Sequence, residues 1–198
     1  MIGNDIVDLS QARQDSNWQR RGFLDKVFTE HEQQLIRSAS DPEIMIWALW
    51  SMKESAYKAV IRETGQRFFA PQKLVCSLKK SCAGVLKGHV SYQKTYSTTS
   101  MVTTRYVASV ASLADMTQSV NPVVVTLPCT DYQHQHRIIY DQLIRYYSTY
   151  FSVPESQIRV QKNKAGVPTL VVHDSSQKPI NRPISLSHHG HYGAFVLL

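Results

Sequence analysis

A carboxylate and an ammonium lie one helical turn apart in the segment WSMKESAYK, at Glu54 and Lys58. Apolar residues recur at helical spacing from about 43 to 62, which predicts a helix with both groups on one stripe beside bulky apolar side chains. A carboxylate at a core edge can hold a divalent metal, and the lysine can reach the same anion. The alternative is a surface ion pair, worth about 0.2–0.5 kcal/mol.

A second carboxylate, Asp5, follows Gly3 near the start of the chain, within a segment that predicts a buried strand. Burying an isolated carboxylate is costly, so Asp5 needs a partner, and a metal ion is one such partner. The alternative is an aspartate at a turn or strand edge that caps a helix.

A third group is the segment SLSHHG at residues 185–190, which follows one apolar strand and leads into another. Hydroxyl and imidazole groups such as those of Ser187 and His188 suit a phosphate. A hairpin turn with exposed histidines is one alternative. A zinc cluster of His188, His189 and His191 is disfavoured, because strand alternation points His188 away from the other two and no nearby cysteine or carboxylate completes a tetrahedral set.

Composition narrows the class of protein. The chain has 198 residues, enough for one domain or two small lobes, and a net charge of +7 that suits anionic partners. The basic residues form no run of five or more, which argues against a nucleic-acid-binding tail. Three cysteines without a C-x-x-C pair indicate reduced thiols, and no segment resembles a signal peptide or a membrane span, so we expect a cytoplasmic protein.

The periodicity predicts an α+β fold with the same order of elements in each half of the chain. The first half should contain a strand over 1–9, helices over 17–27, 30–38 and 42–64, and a three-stranded meander over 74–76, 85–92 and 102–113. Ser16 should cap the helix over 17–27, and a linker should follow over 114–122. The second half should contain a strand over 123–125, a helix over 136–151, and strands over 158–160, 169–172, 184–186 and 192–198. These patterns predict two similar lobes, 1–113 and 123–198.

Taken together, these segments resemble the 4′-phosphopantetheinyl transferase superfamily. The shared patterns are G-x-D (Gly3, Asp5), F-x-x-x-E (Phe28, Glu32), W-x-x-K-E-x-x-x-K (Trp50, Lys53, Glu54, Lys58) and S-x-S-H (Ser185, Ser187, His188). The resemblance implies two lobes related by pseudo-twofold symmetry, each a long helix packed on a small antiparallel sheet.

The order of the motifs differs from that of the larger, surfactin-type members, in which the S-x-S-H half comes first. Here that half ends the chain, so the chain looks like a circular permutant of the surfactin type, with 114–122 joining the former ends. The helix with His136, Arg137, Asp141 and Arg145 and the Gly166-Val167-Pro168 turn resemble surfactin-type elements. The small holo-acyl-carrier-protein-synthase type shares the motif order but has one lobe and trimerises. Two lobes in one chain favour the permuted form and a monomer.

The resemblance implies Mg²⁺-dependent transfer of 4′-phosphopantetheine from coenzyme A to a serine of an acidic apo acyl or peptidyl carrier protein, with release of adenosine 3′,5′-bisphosphate. Asp5 and Glu54 would hold the metal, and Val7 could not supply a third carboxylate. Glu54 would be the base, and Lys58 would contact the pyrophosphate. Ser187 and His188 would hold the ribose 3′-phosphate.

Three points stay open in the sequence. Lys53 either touches a phosphate or is solvated. Val167 replaces the phosphate-contacting lysine of relatives, and Lys162 or Lys164 is a candidate substitute. The departures at Val7 and Val167 keep a second function open, a catalytically silent module that binds coenzyme A or a carrier protein. Charged residues after the first strand could form a basic rim for the carrier: Arg13, Arg20 and Arg21.

Overall fold

The computed structural model describes residues 1–82, 84–114, 120–173 and 179–197, and they form two α+β lobes. The sheet of the first lobe consists of β1 (Ile2–Asp8), β2 (Val75–Cys82), β3 (Val85–Tyr92), β4 (Lys94–Val102) and β5 (Tyr106–Leu113). That of the second consists of β6 (Val123–Thr126), β7 (Ile158–Lys162), β8 (Pro168–Val172), β9 (Ile180–His189) and β10 (Tyr192–Leu197). Both sheets are antiparallel, and their strand orders, β1-β5-β4-β3-β2 and β6-β10-β9-β8-β7, are the same. The predicted fold class is confirmed.

Five α-helices accompany the sheets: α1 (Leu9–Asp15), α2 (Phe23–Val27), α3 (Glu30–Ser38), α4 (Pro42–Thr64) and α5 (Tyr132–Phe151). A capping box between Thr29 and Glu32 starts α3. Asp41 caps α4, and Gly65 ends it in the left-handed conformation (φ 71°). None of the helices in these ranges is long and apolar enough to cross a membrane.

The predicted helix over 17–27 is wrong over 17–22 and confirmed only over its last five residues, which form α2. Asp8 accepts hydrogen bonds from the backbone N–H groups of Ser10 and Gln11, so a helix begins directly after β1, and Ser16 ends it instead of starting one. The next helix begins only after Gly22, whose φ of 79° breaks the helical path.

Other elements also differ from the expected ones; β2 and β9, for example, are longer than predicted. The predicted meander lacked β4, whose serines and threonines hide the apolar alternation although β3 and β5 pair with it on both sides. Helix α5 starts four residues early because Asp131 caps its polar first turn. Residues 115–119 of the predicted linker, and Leu198, lie outside the described residues.

The lobes meet along β1, which lies against β9 and β10. Ile2 packs with Val196, and Ile6 packs with Ala194. The circularly permuted order stays a prediction, and this contact, which brings β10 alongside β1, is compatible with it.

Arg62, one turn after Lys58 on α4, joins the two lobes with a single side chain. It donates to the carbonyl oxygens of Ile2 (3.1 Å) in the first lobe and of Pro168 (2.9 Å) and Ile184 in the second. Burial lowers the pKa of Arg62 to about 10, so the guanidinium stays charged at neutral pH.

We expect Arg62→Met to lower the free energy of unfolding by at least about 2 kcal/mol, because it leaves three carbonyl oxygens at the lobe interface without their donor. Urea unfolding at neutral pH measures this loss. Arg13→Met is the matched control, since it removes a surface ion pair with Glu43 and should cost less than about 1 kcal/mol. Equal losses in the two variants would contradict the bridging role of Arg62.

Candidate functional site

A cavity of about 510 Å³ is lined by residues of both lobes. Three of the predicted site residues line it, namely Asp5 from β1, Glu54 from α4 and His188 from β9. They come from three separate segments of the chain, so folding has brought together what the sequence keeps far apart.

Gly3 determines how close β1 lies to α4. A Cβ atom at this position would stand 2.1 Å from the carbonyl oxygen of Ser55 and 2.7 Å from the backbone nitrogen of Ala59. Only glycine therefore fits. Asp5 lies two residues further along the strand, on the same face, and is directed toward α4.

Lys58 is held by the strand that carries Asp5. Its ammonium donates to the carboxylate of Asp5 (3.0 Å) and to the carbonyl oxygen of Asn4 (2.9 Å). The side chain of Asp5 is 12% exposed and that of Lys58 is 30% exposed, so water screens this pair less than a surface pair. An ammonium has three N–H donors, and these two contacts leave one for a ligand.

Glu54 carries the most perturbed carboxyl group of the cavity. Burial raises the pKa of Glu54 to about 7; the charge of Asp5 also raises it, and Lys58 lowers it. Two partly buried carboxylates thus share one ammonium, and a further cation would relieve their repulsion.

This donor set fits Mg²⁺, which is commonly bound by one or two carboxylates completed by substrate phosphates and water. Within the described ranges, no group of three histidine, cysteine or acidic side chains is arranged to hold a metal by itself. Val7, where a third carboxylate would be needed, is a buried core residue. Asp5 and Glu54 would therefore hold an ion together with the phosphates of a substrate.

Lys53 does not line this cavity. The sequence left open whether it touches a phosphate or is solvated, and the structure shows neither. It is 1% exposed and forms an ion pair with the buried Glu32 (2.8 Å). Its ammonium also donates to the carbonyl oxygens of Pro71 (2.9 Å) and Leu74 (2.7 Å). These three contacts use every N–H of the ammonium, so Lys53 is neither solvated nor free to bind a phosphate.

Ser187 and His188 face different partners. Ser187 is buried and accepts a hydrogen bond from the side-chain amide of Asn4 (2.9 Å), so its hydroxyl belongs to the contact between the lobes. His188 lines the cavity, and its Nδ1 lies 2.8 Å from Oε1 of Gln135. Burial lowers the pKa of His188 below its ordinary value, and His136, Lys58 and His189 act in the same direction.

The two histidines that follow His188 in this region, His189 and His191, have structural partners. The predicted hairpin turn is present at Gly190, whose φ is 55°. Asp8 accepts from the backbone N–H of His191 (2.8 Å), and its own N–H donates to Nδ1 of His189 (3.0 Å). The carboxylate of Asp8 is thus occupied by backbone N–H groups and has a structural role.

Apolar side chains and cations also line the cavity, and of the two cations the sequence indicated Arg20, as part of a basic rim, but not Lys26. Trp50, Phe23 and Phe69 line it, and Phe69 is 78% exposed. Arg20 and Lys26 line the same cavity. The sequence did not predict Phe23 and Lys26 as cavity residues, because the start of the helix that contains them was misplaced.

A smaller cavity of about 180 Å³ is lined by Lys58 and also contains Arg62 and Arg67 of the first lobe. The Gly166-Val167-Pro168 turn and Ser185 form its other side. Arg67 donates to the carbonyl oxygen of Ala165 (3.4 Å) and lies 3.3 Å from where a Cβ of Gly166 would stand. Three cations and no carboxylate line this cavity.

A protein-family model matches the first part of the chain. The ACPS family model, described as the 4′-phosphopantetheinyl transferase superfamily, matches residues 1–111. The match covers more than half of the chain and includes Asp5, Glu54 and Lys58, whereas His188 lies outside it. No curated protein matches the chain.

Replacement of Glu54 should change how stability depends on pH. A pKa raised from 4.5 to about 7 means that folding favours the neutral carboxyl group, so its contribution is complete below pH 4.5 and is lost as pH rises through 7. Without metal, Glu54→Gln should therefore raise Tm relative to the wild type more at pH 8 than at pH 5. About 2–4 °C is expected for each kcal/mol.

Thermal unfolding with and without Mg²⁺ at pH 8 completes the test. Mg²⁺ should raise the Tm of the wild type and of Glu43→Gln, which keeps both cavity carboxylates, more than that of Glu54→Gln. A Tm difference between Glu54→Gln and the wild type that is the same at both pH values would contradict the assignment.

Proposed function

Because this chain belongs to the 4′-phosphopantetheinyl transferase superfamily, we propose that it transfers the 4′-phosphopantetheine group of coenzyme A to a serine hydroxyl of an apo acyl or peptidyl carrier protein. The other product is adenosine 3′,5′-bisphosphate. The observation that carries the proposal is the convergence of Asp5, Glu54 and His188 on one cavity, with Lys58 bound to Asp5. One chain supplies every one of these residues, so the proposed site requires no second subunit.

Glu54 accepts the proton of the carrier serine, directly or through a water. The serine oxygen forms a bond to the phosphorus that carries the pantetheine arm, and the bond from that phosphorus to the bridging oxygen of the pyrophosphate breaks. The electron pair leaves with adenosine 3′,5′-bisphosphate. In the metal-free site, burial and the charge of Asp5 raise the pKa of Glu54 to about 7, which makes its carboxylate a stronger proton acceptor than an ordinary glutamate.

Lys58 stabilises the charge that develops on the leaving phosphate. Its attachment to Asp5 and to the carbonyl of Asn4 holds the ammonium in place before the substrate arrives, so little reorganisation is needed. Asp5 and Glu54 would hold Mg²⁺, which when bound neutralises phosphate charge during phosphoryl transfer.

Arg67 is the proposed substitute for the lysine that Val167 replaces. It reaches from the first lobe to the carbonyl of Ala165, beside the turn that contains Val167, and lines the smaller cavity with Lys58. Lys162 is directed elsewhere, with its Nζ 3.3 Å from Nε2 of His136. A phosphate of coenzyme A in this cavity would be contacted by Arg67.

The carrier protein is proposed to approach the mouth of the larger cavity. Arg20 and Lys26 provide positive charge there, and Phe23 and Phe69 provide an apolar surface. Arg13 pairs with Glu43 (2.9 Å) and is less available than the sequence suggested. An acidic partner would be steered by this surface, and the steering should weaken with salt.

A mass assay tests the proposed function. A set of apo carrier proteins is incubated with the protein, coenzyme A and Mg²⁺, and at least one carrier should gain the mass of one phosphopantetheine group. Asp5→Asn and Glu54→Gln should lower kcat/KM by at least about 100-fold, because each removes a charge that acts at the reacting phosphate.

Glu43→Gln serves as the control, because it removes a carboxylate from the same helix that pairs with Arg13 at the surface. It should keep nearly full activity. Tight binding of coenzyme A by the wild type without modification of any carrier would instead favour the catalytically silent module.

Arg67→Ala should raise KM for coenzyme A by about 10-fold and change kcat less, because it removes a charged contact to the bound substrate. Lys162→Ala is the matched control, since Lys162 lies beside His136 and Tyr140. Steady-state kinetics at varied coenzyme A measures both. A larger effect from Lys162→Ala than from Arg67→Ala would assign the substitute lysine to position 162.

A further inference from the structure

Gln135 connects the cavity histidine to the second lobe. It lies in the first turn of α5 and is 3% exposed. Its Nε2 donates to the carbonyl oxygens of Cys129 (2.9 Å) and Gly190, and its Oε1 lies 2.8 Å from Nδ1 of His188. One buried amide thus contacts the segment before α5, the turn after β9 and His188.

These contacts determine which way the amide faces. A carbonyl oxygen can only accept a hydrogen bond, so the two N–H groups of Gln135 must be directed to Cys129 and Gly190. The flipped amide would place its oxygen against two other oxygens. The orientation therefore follows from the chemistry of the neighbours.

The amide in turn selects the tautomer of His188. Oε1 of Gln135 carries no hydrogen, so Nδ1 of His188 must donate. In the neutral ring, Nε2 is then the nitrogen with the free lone pair. Nδ1 is turned toward α5 while His188 lines the larger cavity, so the edge with Nε2 is left for a ligand.

We propose that Gln135 is a positioning residue that holds His188 as the Nδ1–H tautomer and presents its Nε2 edge to the ligand. Only the identity of that ligand, a phosphate of coenzyme A, rests on the proposed function. A phosphate oxygen accepts, so His188 must be protonated at Nε2 to bind it. Gln135 accommodates that change, because its Oε1 accepts from Nδ1–H in the neutral and in the protonated ring alike.

The charges around His188 are consistent with a ring that is neutral before the ligand binds. Burial lowers its pKa, and the groups that act in the same direction are His136 on α5, Lys58 on α4 and His189 on β9. The ring of Tyr132 also packs against it, with centroids 5.2 Å apart. A neutral imidazole without Gln135 would be free to carry its hydrogen on either nitrogen.

The wild-type protein without ligand tests the tautomer directly. Long-range ¹H–¹⁵N NMR at pH 8 distinguishes a nitrogen that carries a hydrogen from one that carries a lone pair, and the His188 signals are those missing from His188→Gln. We expect the hydrogen on Nδ1. A hydrogen on Nε2 would overturn the proposal. Since this measurement needs no substrate, its outcome is separate from that of the proposed function.

Gln135→Met tests whether Gln135 is the cause. It keeps the length of the side chain and removes the amide, so His188 should shift toward the Nε2–H tautomer. Gln142→Met is the matched control on the same helix, because Gln142 is only partly buried and its one hydrogen bond among the described residues is to the carbonyl of Thr126 (3.4 Å). An unchanged His188 in a folded Gln135→Met protein would contradict the proposal. If that variant does not fold, the wild-type spectrum still decides the tautomer.

Kinetics separate positioning from a purely structural role. Gln135→Met should raise KM for coenzyme A by about 3- to 10-fold with a smaller change in kcat, because the ring loses the acceptor at Nδ1 that orients it and stabilises its protonated form. Adding it to His188→Ala should cause no further loss, because Gln135 acts through His188. Additive losses would show that Gln135 supports the fold and does not act through the histidine.

Discussion

The close contact between β1 and α4 at Gly3 allows Lys58 and Arg62 of the helix to reach the strand that carries Asp5. No side chain fits between the strand and the helix at that point, since a Cβ would overlap the carbonyl of Ser55. The short separation lets Lys58 reach both Asn4 and Asp5. It also lets Arg62 reach the carbonyl of Ile2 and, beyond it, the second lobe. A wider gap would break these contacts together, so the G-x-D glycine is a packing requirement of the charged site.

The charges left in the cavity favour a particular kind of ligand. Asp5 and Glu54 are both withdrawn from water, and burial, followed by the charge of Asp5, raises the pKa of Glu54 although Lys58 lowers it. A divalent cation alone would make the net charge of Asp5, Glu54 and Lys58 positive, and a phosphate alone would make it more negative. A cation and a phosphate entering together keep the site near neutrality. The smaller cavity has the opposite character, with Arg62 and Arg67 beside Lys58. Lys58 lies where a carboxylate region meets a cationic region, which suits an ion that contacts a leaving phosphate.

Part of this arrangement could be predicted from the sequence, because periodicity carries it. The helical spacing put Glu54 and Lys58 on one stripe, and the apolar pattern after Gly190 indicated the strand that returns from the hairpin. Arg62, Arg67 and Gln135 could not be found in this way, because their main partners are backbone carbonyls on distant segments. Every residue has a carbonyl, so such a contact leaves no trace in residue type. The start of the helix predicted over 17–27 was misplaced for a different reason. Asp8 caps a helix that begins directly after β1, and the position of Asp8 at the end of a strand hid that role.

Two lysines of one helix show why a motif does not assign a role to each of its residues. Lys53 and Lys58 are five positions apart, so they project from different faces of α4. Lys53 meets Glu32, and this carboxylate also accepts from the backbone N–H groups of Thr29 and Cys76. Removing either partner of this buried pair would leave the other charge without a counterion and without water. The pair therefore stabilises the fold of the first lobe. Lys58 has one N–H left for a ligand and is 30% exposed, because β1, the strand that carries its partner Asp5, lies at the lobe interface. The F-x-x-x-E and W-x-x-K-E-x-x-x-K patterns thus contain one internal ion pair, Lys53–Glu32, while Lys58 of the second pattern pairs with Asp5 of G-x-D on the neighbouring strand.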